Sequence, residues 1–108
     1  MGRQAPPKLT DVQDTVRRLL KADFYYESKH ARIRMRQRGV TESQVRYILE
    51  NGLRDPDRDE FDWDYEAWKY VICGRTPAED KVIRVVFTIS KVPPLPNQYA
   101  VVITVILV

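Results

Sequence analysis

The sequence predicts an α+β domain, with short N-terminal helices packed on a C-terminal antiparallel β-sheet. Three observations predict it. Apolar residues recur at helical spacing as far as about residue 50. From Leu53 onward the period changes to two. The later strands follow one another through short connections, which favours an antiparallel meander with the helices covering its apolar face. A length of 108 residues, with 44% hydrophobic and 31% charged, suits one globular core without disulfide or metal staples. Residues 1–108 are therefore expected to form a single domain.

Residues 1–8 read as a flexible arm, because Pro6 and Pro7 block regular structure. Thr10 is a good N-cap for a first helix, Asp11 suits its positive end, and Val12, Val16, Leu19 and Leu20 recur on one side. Phe24-Tyr25-Tyr26 follows as a short extended segment. Ser28 caps a second helix that stops at Gly39. Thr41 opens a third, with Gln44 completing a capping box, a Val45, Ile48 and Leu49 stripe, and Gly52 at its end.

Phe61, Trp63 and Tyr65 alternate with Asp62, Asp64 and Glu66, as in a half-buried strand. The aromatic parity then switches to Trp68, Tyr70 and Ile72, which requires a turn or bulge near residues 65–67. Trp63 and Trp68 are expected in the core. A strand from about Lys81 to Ser90 carries an apolar face of Ile83, Val85, Phe87 and Ile89, with Val82, Arg84, Val86 and Thr88 on the other. Pro93, Pro94 and Pro96 make a loop, and Tyr99–Val108 is the last strand. At ten residues that run is about half a membrane span. No secretory signal is visible, and the lone Cys73, in the run Tyr70-Val71-Ile72-Cys73, is expected to pack as a small core hydrophobe. One cysteine fits a reducing compartment, so a cytoplasmic protein without membrane attachment is expected.

Net charge is +3, but its distribution is uneven. Lys29, Arg32, Arg34, Arg36 and Arg38 stand together without an acid, whereas Asp55, Asp57, Asp59, Glu60, Asp62, Asp64 and Glu66 face Arg58 alone. The first segment can attract a polyanion; the second can repel one or fold back as an internal counter-ion. At ~100° per residue, His30, Arg34 and Arg38 fall on one stripe at the border between core and water, beside the inward Ala31 and Met35, while Arg32 and Arg36 point to solvent. Arginine forks suit phosphate oxygens and histidine can carry a proton near neutral pH. Geometry alone leaves two readings open, solvated helix charges or a ligand-facing site.

The string His30-Ala31-Arg32-Ile33-Arg34-Met35-Arg36-Gln37-Arg38-Gly39-Val40 resembles the opening of the bacterial domain-of-unknown-function family 4258. The later features of that family are matched by a strand ending at Gly74, Trp68 to Gly74, and by the Thr104-Val105 step in the last strand. The resemblance covers about residues 23–108. It implies kinship with RelE-like and colicin-like ribonuclease toxins and with the motility quorum-sensing regulator toxin. On that resemblance the expected activity is metal-free endoribonuclease cleavage of mRNA, without a cofactor, by the toxin of a toxin–antitoxin pair. It brings forward His30, Arg34, Arg38 and Thr104 as site residues. The long acidic segment is a departure from an RNA-binding surface.

Such a site must help remove the 2′-OH proton, stabilise charge on the phosphate and protonate the leaving oxygen. His30 suits acid or base, and Arg34 and Arg38 suit the phosphate. Lys69 and Arg84, on the solvent side of the sheet, can extend a basic surface, and Tyr99 can stack on a base; each is equally an ordinary surface or strand-entry residue. Asp55, Asp57, Asp59 and Glu66 match positions 1, 3, 5 and 12 of a calcium loop, but Glu60 stands where that loop needs glycine, so no metal site is expected. Two alternatives compete with the nuclease. One is a non-catalytic domain of the same fold that binds nucleic acid or protein. The other is a structural domain whose partner covers an exposed sheet edge at the C-terminus.

Overall fold

The structure, a computed structural model, describes residues 2–91 and 98–108; the expected loop at Pro93, Pro94 and Pro96 lies outside the described residues. The chain runs α1 (Val12–Lys21), β1 (Tyr25–Glu27), α2 (Lys29–Arg38), α3 (Glu42–Asn51), β2 (Leu53–Arg54), a 3₁₀ turn (Pro56–Arg58), β3 (Glu60–Asp62), β4 (Ala67–Arg75), β5 (Val82–Lys91) and β6 (Gln98–Leu107). Local signals set the helix ends. Ser28 Oγ accepts from Ala31 N–H, and Gly39 ends α2 at φ 62°. Thr41 and Gln44 close the capping box of α3. Helix α1 starts one residue later than expected: Asp11, not Thr10, is its N-cap, in the left-handed region that aspartate tolerates and without a side-chain cap bond.

The sheet is mixed, not antiparallel throughout. Its order is β1-β6-β5-β4-β2, with β3 also on β4. Antiparallel pairs link β4, β5 and β6, as the meander predicts. β1, however, pairs parallel with β6, Tyr25 opposite Ala100 and Glu27 opposite Val102. The extended Phe24-Tyr25-Tyr26 segment was legible, but its partner is the last strand, far away in sequence, and no local pattern records that. β6 is therefore covered on its outer side by β1 over Ala100–Val102, whereas the edge beyond Val102 has no strand partner there.

The core lies between the helices and one sheet face. Val16, Ala31, Val45, Ile48, Leu49, Ile72, Ile83, Val85, Phe87, Val102 and Val105 are fully buried there. Strand alternation then puts Arg84, Val86 and Thr88 on the opposite face. The register on β6 passes from Val86–Thr104 to Phe87–Val102, so Ile103 is the extra residue of a bulge. That bulge lets both Val102 and Val105 face the core.

Three expectations are corrected on the hairpin and on β4. Trp63 and Tyr65 occupy the turn after β3 and are exposed, Tyr65 at 83%. Asp62 Oδ1 accepts the N–H groups of Asp64 and Tyr65, and this local bonding ends the strand before the aromatic alternation does. Trp68 does pack against the core, partly buried. Cys73 is free and half-buried, on the face away from the helices, because the inward positions of β4 are Tyr70 and Ile72. Residues 2–8 carry no helix or strand, yet where a flexible arm was expected they are docked: Trp68 Nε1 donates to Pro6 O at 2.8 Å, Lys8 meets Asp59 at 2.9 Å and the Arg3 guanidinium lies over Trp63.

Candidate functional site

The segment that follows β1 places the cationic helix. Glu27 is the last residue paired with β6, and the chain turns into α2 at once: Ser28 N–H donates to Val102 O at 3.0 Å, and Ser28 Oγ to Ile103 O at 3.3 Å. Helix α2 thereby lies along the stretch of β6 that β1 leaves unpaired. Ala31 and Met35 face the core, as the helical wheel requires, and Arg32 and Arg36 face water. His30 is exposed. Arg34 is half-buried and donates to Gln37 Oε1 on its own helix at 3.0 Å. Arg38, also half-buried, donates Nη1 to the Val105 carbonyl and so satisfies an open acceptor of β6. Among the described residues, no hydrogen bond or ion pair joins His30, Arg34 and Arg38 to one another.

Electrostatically, α2 stands apart from the rest of the chain. Three of the seven carboxylates in the acidic segment are paired: Asp59 is held by Arg54 at 2.5 Å and by Lys8, Asp55 by Arg58 at 2.9 Å, and Asp62 by Lys69 at 3.2 Å. These three fold back on neighbouring cations, while Asp57, Glu60, Asp64 and Glu66 form no ion pair among the described residues. Among the described residues none of Lys29, Arg32, Arg34, Arg36 and Arg38 forms an ion pair. The calcium-loop positions are broken by the 3₁₀ turn and by the burial of Asp59, and no group of His, Cys, Asp or Glu among the described residues is arranged to hold a metal ion.

The sheet candidates lie on the open face, in two groups. Arg84 stands opposite Cys73 on β4 and Ile106 on β6, with Thr104 diagonal to it, opposite Val86. Lys69 lines a groove of about 510 Å³ near the other end of the strands, together with Tyr26, Tyr65, Thr88, Val101 and Ile103. Asp62 shares that groove. Burial alone would raise its carboxyl, but hydrogen bonds from Lys69 and from the N–H groups of Tyr65 and Asp64 bring it below the ordinary range. Tyr99 packs against Phe24 and Tyr26 with ring centres 5.3 and 6.1 Å away, so much of its ring is used inside the protein. The fold thus brings Arg38, Arg84 and Thr104 to one stretch of β6, and Lys69 and Tyr99 to another. Thr88 is four residues from Arg84, about 13 Å along β5.

Tyr26 and Tyr65 were missed as wall residues of the groove. The only signal for Tyr26 was its parity beside Tyr25, which is buried and donates to Glu27 at 2.6 Å; burial, reinforced by Glu27, drives the Tyr25 phenol far above its usual range. The family model of a domain of unknown function, DUF4258, matches residues 28–107, from the cap of α2 to the end of β6. No curated protein and no solved structure matches the chain.

Proposed function

The chain belongs to the DUF4258 family, and from that premise we propose that it is an RNA-binding endoribonuclease of the kind found in toxin–antitoxin pairs, cleaving mRNA without a metal ion. The observation that carries this reading is the uncompensated charge of α2: five cations without a carboxylate partner, in a chain whose acidic segment forms its ion pairs with other cations. A polyanion is the natural counterpart of such a surface. Single-stranded RNA adds bases for which the open face offers tyrosines.

In this reading the 2′-oxygen of RNA attacks the adjacent phosphorus as the bond to the 5′-oxygen breaks, leaving a cyclic phosphate and a 5′-hydroxyl. His30, the one histidine of the chain, accepts the 2′ proton or supplies the proton to the leaving oxygen. Arg34 offers its guanidinium to the phosphate. Arg38, already bonded to Val105 O, holds α2 against β6 and can reach the same phosphate only with its remaining donors. An antitoxin protein would have to cover this cationic surface.

The test is cleavage of a defined mRNA in the presence of a chelator, with growth on induction as a second readout. His30→Ala is expected to lower the rate by about 10²–10⁴-fold, the usual effect of removing a general acid or base. A wild type that neither cleaves RNA nor slows growth overturns the enzymatic reading. The second reading, a binding domain of the same fold without catalysis, is favoured by one observation. No hydrogen bond or ion pair orients His30 among the described residues, whereas catalytic histidines are commonly held by a third group.

A further inference from the structure

Arg84 is out of place on chemical grounds. It lies in the middle strand of the antiparallel block, between Val82 and Val86 along β5 and between Cys73 and Ile106 across it. No acidic side chain occupies a facing or diagonal position: the diagonals are Val71, Arg75, Thr104 and Val108, and Arg75 is paired with Asp80. Its Nε is buried and has no hydrogen-bond partner, and the guanidinium forms no ion pair among the described residues. A buried donor without an acceptor, on a cation without a counter-ion, is a costly arrangement. The sheet elsewhere avoids it; Arg54, at the β2 edge, bonds both Asp59 and Val71 O. What Arg84 lacks is an anion with several acceptor oxygens.

We infer that Arg84 is the anchor of a phosphate seat on the open sheet face. The neighbouring groups fit that ligand. Thr104 supplies a hydroxyl from the bulge of β6, diagonal to Arg84. Arg38 arrives from the other side of the same stretch through its bond to Val105 O, and has further donors to offer. A planar guanidinium pairs with two phosphate oxygens at once, and a hydroxyl can serve a third. The occupant is the phosphodiester of a single RNA strand, argued from charge complementarity: the seat adjoins the helix whose five cations are unpaired. This choice of occupant rests on the RNA-binding reading above, whereas the seat itself requires only a phosphate group. A strand anchored there can carry its next bases toward the Tyr26 and Tyr65 groove.

The test reads Arg84 directly. The Nε–Hε resonances of the intact, arginine-labelled protein are followed by NMR during titration with inorganic phosphate, against chloride at equal ionic strength. Arg84 is expected to shift saturably with phosphate and not with chloride. Binding of a fluorescent single-stranded RNA carrying uncleavable 2′-O-methyl groups is then compared in wild type, Arg84→Gln and Arg18→Gln, the last a charge-matched control at an exposed position of α1. Arg84→Gln is expected to weaken binding about tenfold or more, and Arg18→Gln to leave it within about twofold. An Arg84 resonance that does not move with phosphate overturns the seat, whatever the cleavage assay shows. A resonance that moves while the wild type binds no RNA supports the seat, overturns its RNA occupant and removes the nuclease reading. Because the NMR arm uses the wild type, the outcome does not depend on how Arg84→Gln folds.

Discussion

At the scale of single residues, the electrostatics of the acidic segment turn on Asp59. Its side chain is fully buried and receives Arg54 Nη1 at 3.0 Å, Arg54 Nη2 at 2.5 Å, Lys8 Nζ at 2.9 Å and Val71 N–H at 3.0 Å. Burial by itself would raise the carboxyl; the Arg54 and Lys8 contacts, with the Val71 N–H, hold it below the ordinary range. A value depressed by folding contributes stability that is complete above the unfolded carboxylate range, near ~3.9, and is lost as pH falls through the folded value. Asp59→Asn is therefore expected to cost about 3 kcal/mol at neutral pH by leaving Arg54 without its counter-ion. That deficit should shrink as both proteins are taken below about pH 4. Denaturant unfolding across pH checks both parts, and a deficit that stays constant down to acid pH contradicts the assignment. The pairing was not readable beforehand. Asp59 sits in a run of acids with period two, and only the 3₁₀ turn singles it out for burial.

At the scale of elements, what was legible was what is written locally. Ser28, Gly39 and the Thr41–Gln44 box each act within a turn or so of the helix ends they define, and all three match. Arg84 could be placed on the outward face because Ile83, Val85 and Phe87 are so uniformly apolar. The aromatic alternation through Trp63 and Tyr65 misled because Asp62 competes for the backbone N–H groups that a strand would need. The Tyr26 groove could not be foreseen, since its walls come from segments that only the finished sheet brings together. Gly52 was expected simply as a helix stop, and its role proves to be proximity. A Cβ there would lie 2.6 Å from Ile48 O and 2.8 Å from Cys73 O, where α3 passes into β2 against β4. Gly52→Ala should destabilise the protein by about 1–3 kcal/mol through forced backbone movement. Thermal unfolding measures it, and an unchanged midpoint would show that the junction yields freely.

At the scale of the molecule, the modest net charge conceals a division of labour. Asp55, Asp59 and Asp62 of the acidic segment are paired with nearby cations, while the cations of α2 have no carboxylate partner among the described residues. If all five α2 cations engage a single strand, the logarithm of the RNA affinity should fall against the logarithm of salt concentration with a slope of about −3.5. A slope near zero would mean that contact is made through the apolar groove alone. The parallel pairing of β1 with β6 has a different consequence, for biogenesis. Tyr25 meets Ala100, and Ser28 bonds to residues 74 and 75 positions further on. A truncated chain stopping at residue 97 should show no cooperative melting by circular dichroism, because β1 and α2 would lack the strand on which they rest. During translation the cationic helix can therefore be made early but not installed until residues 98–107 have emerged, and any activity that depends on the assembled face is withheld from the nascent chain until then.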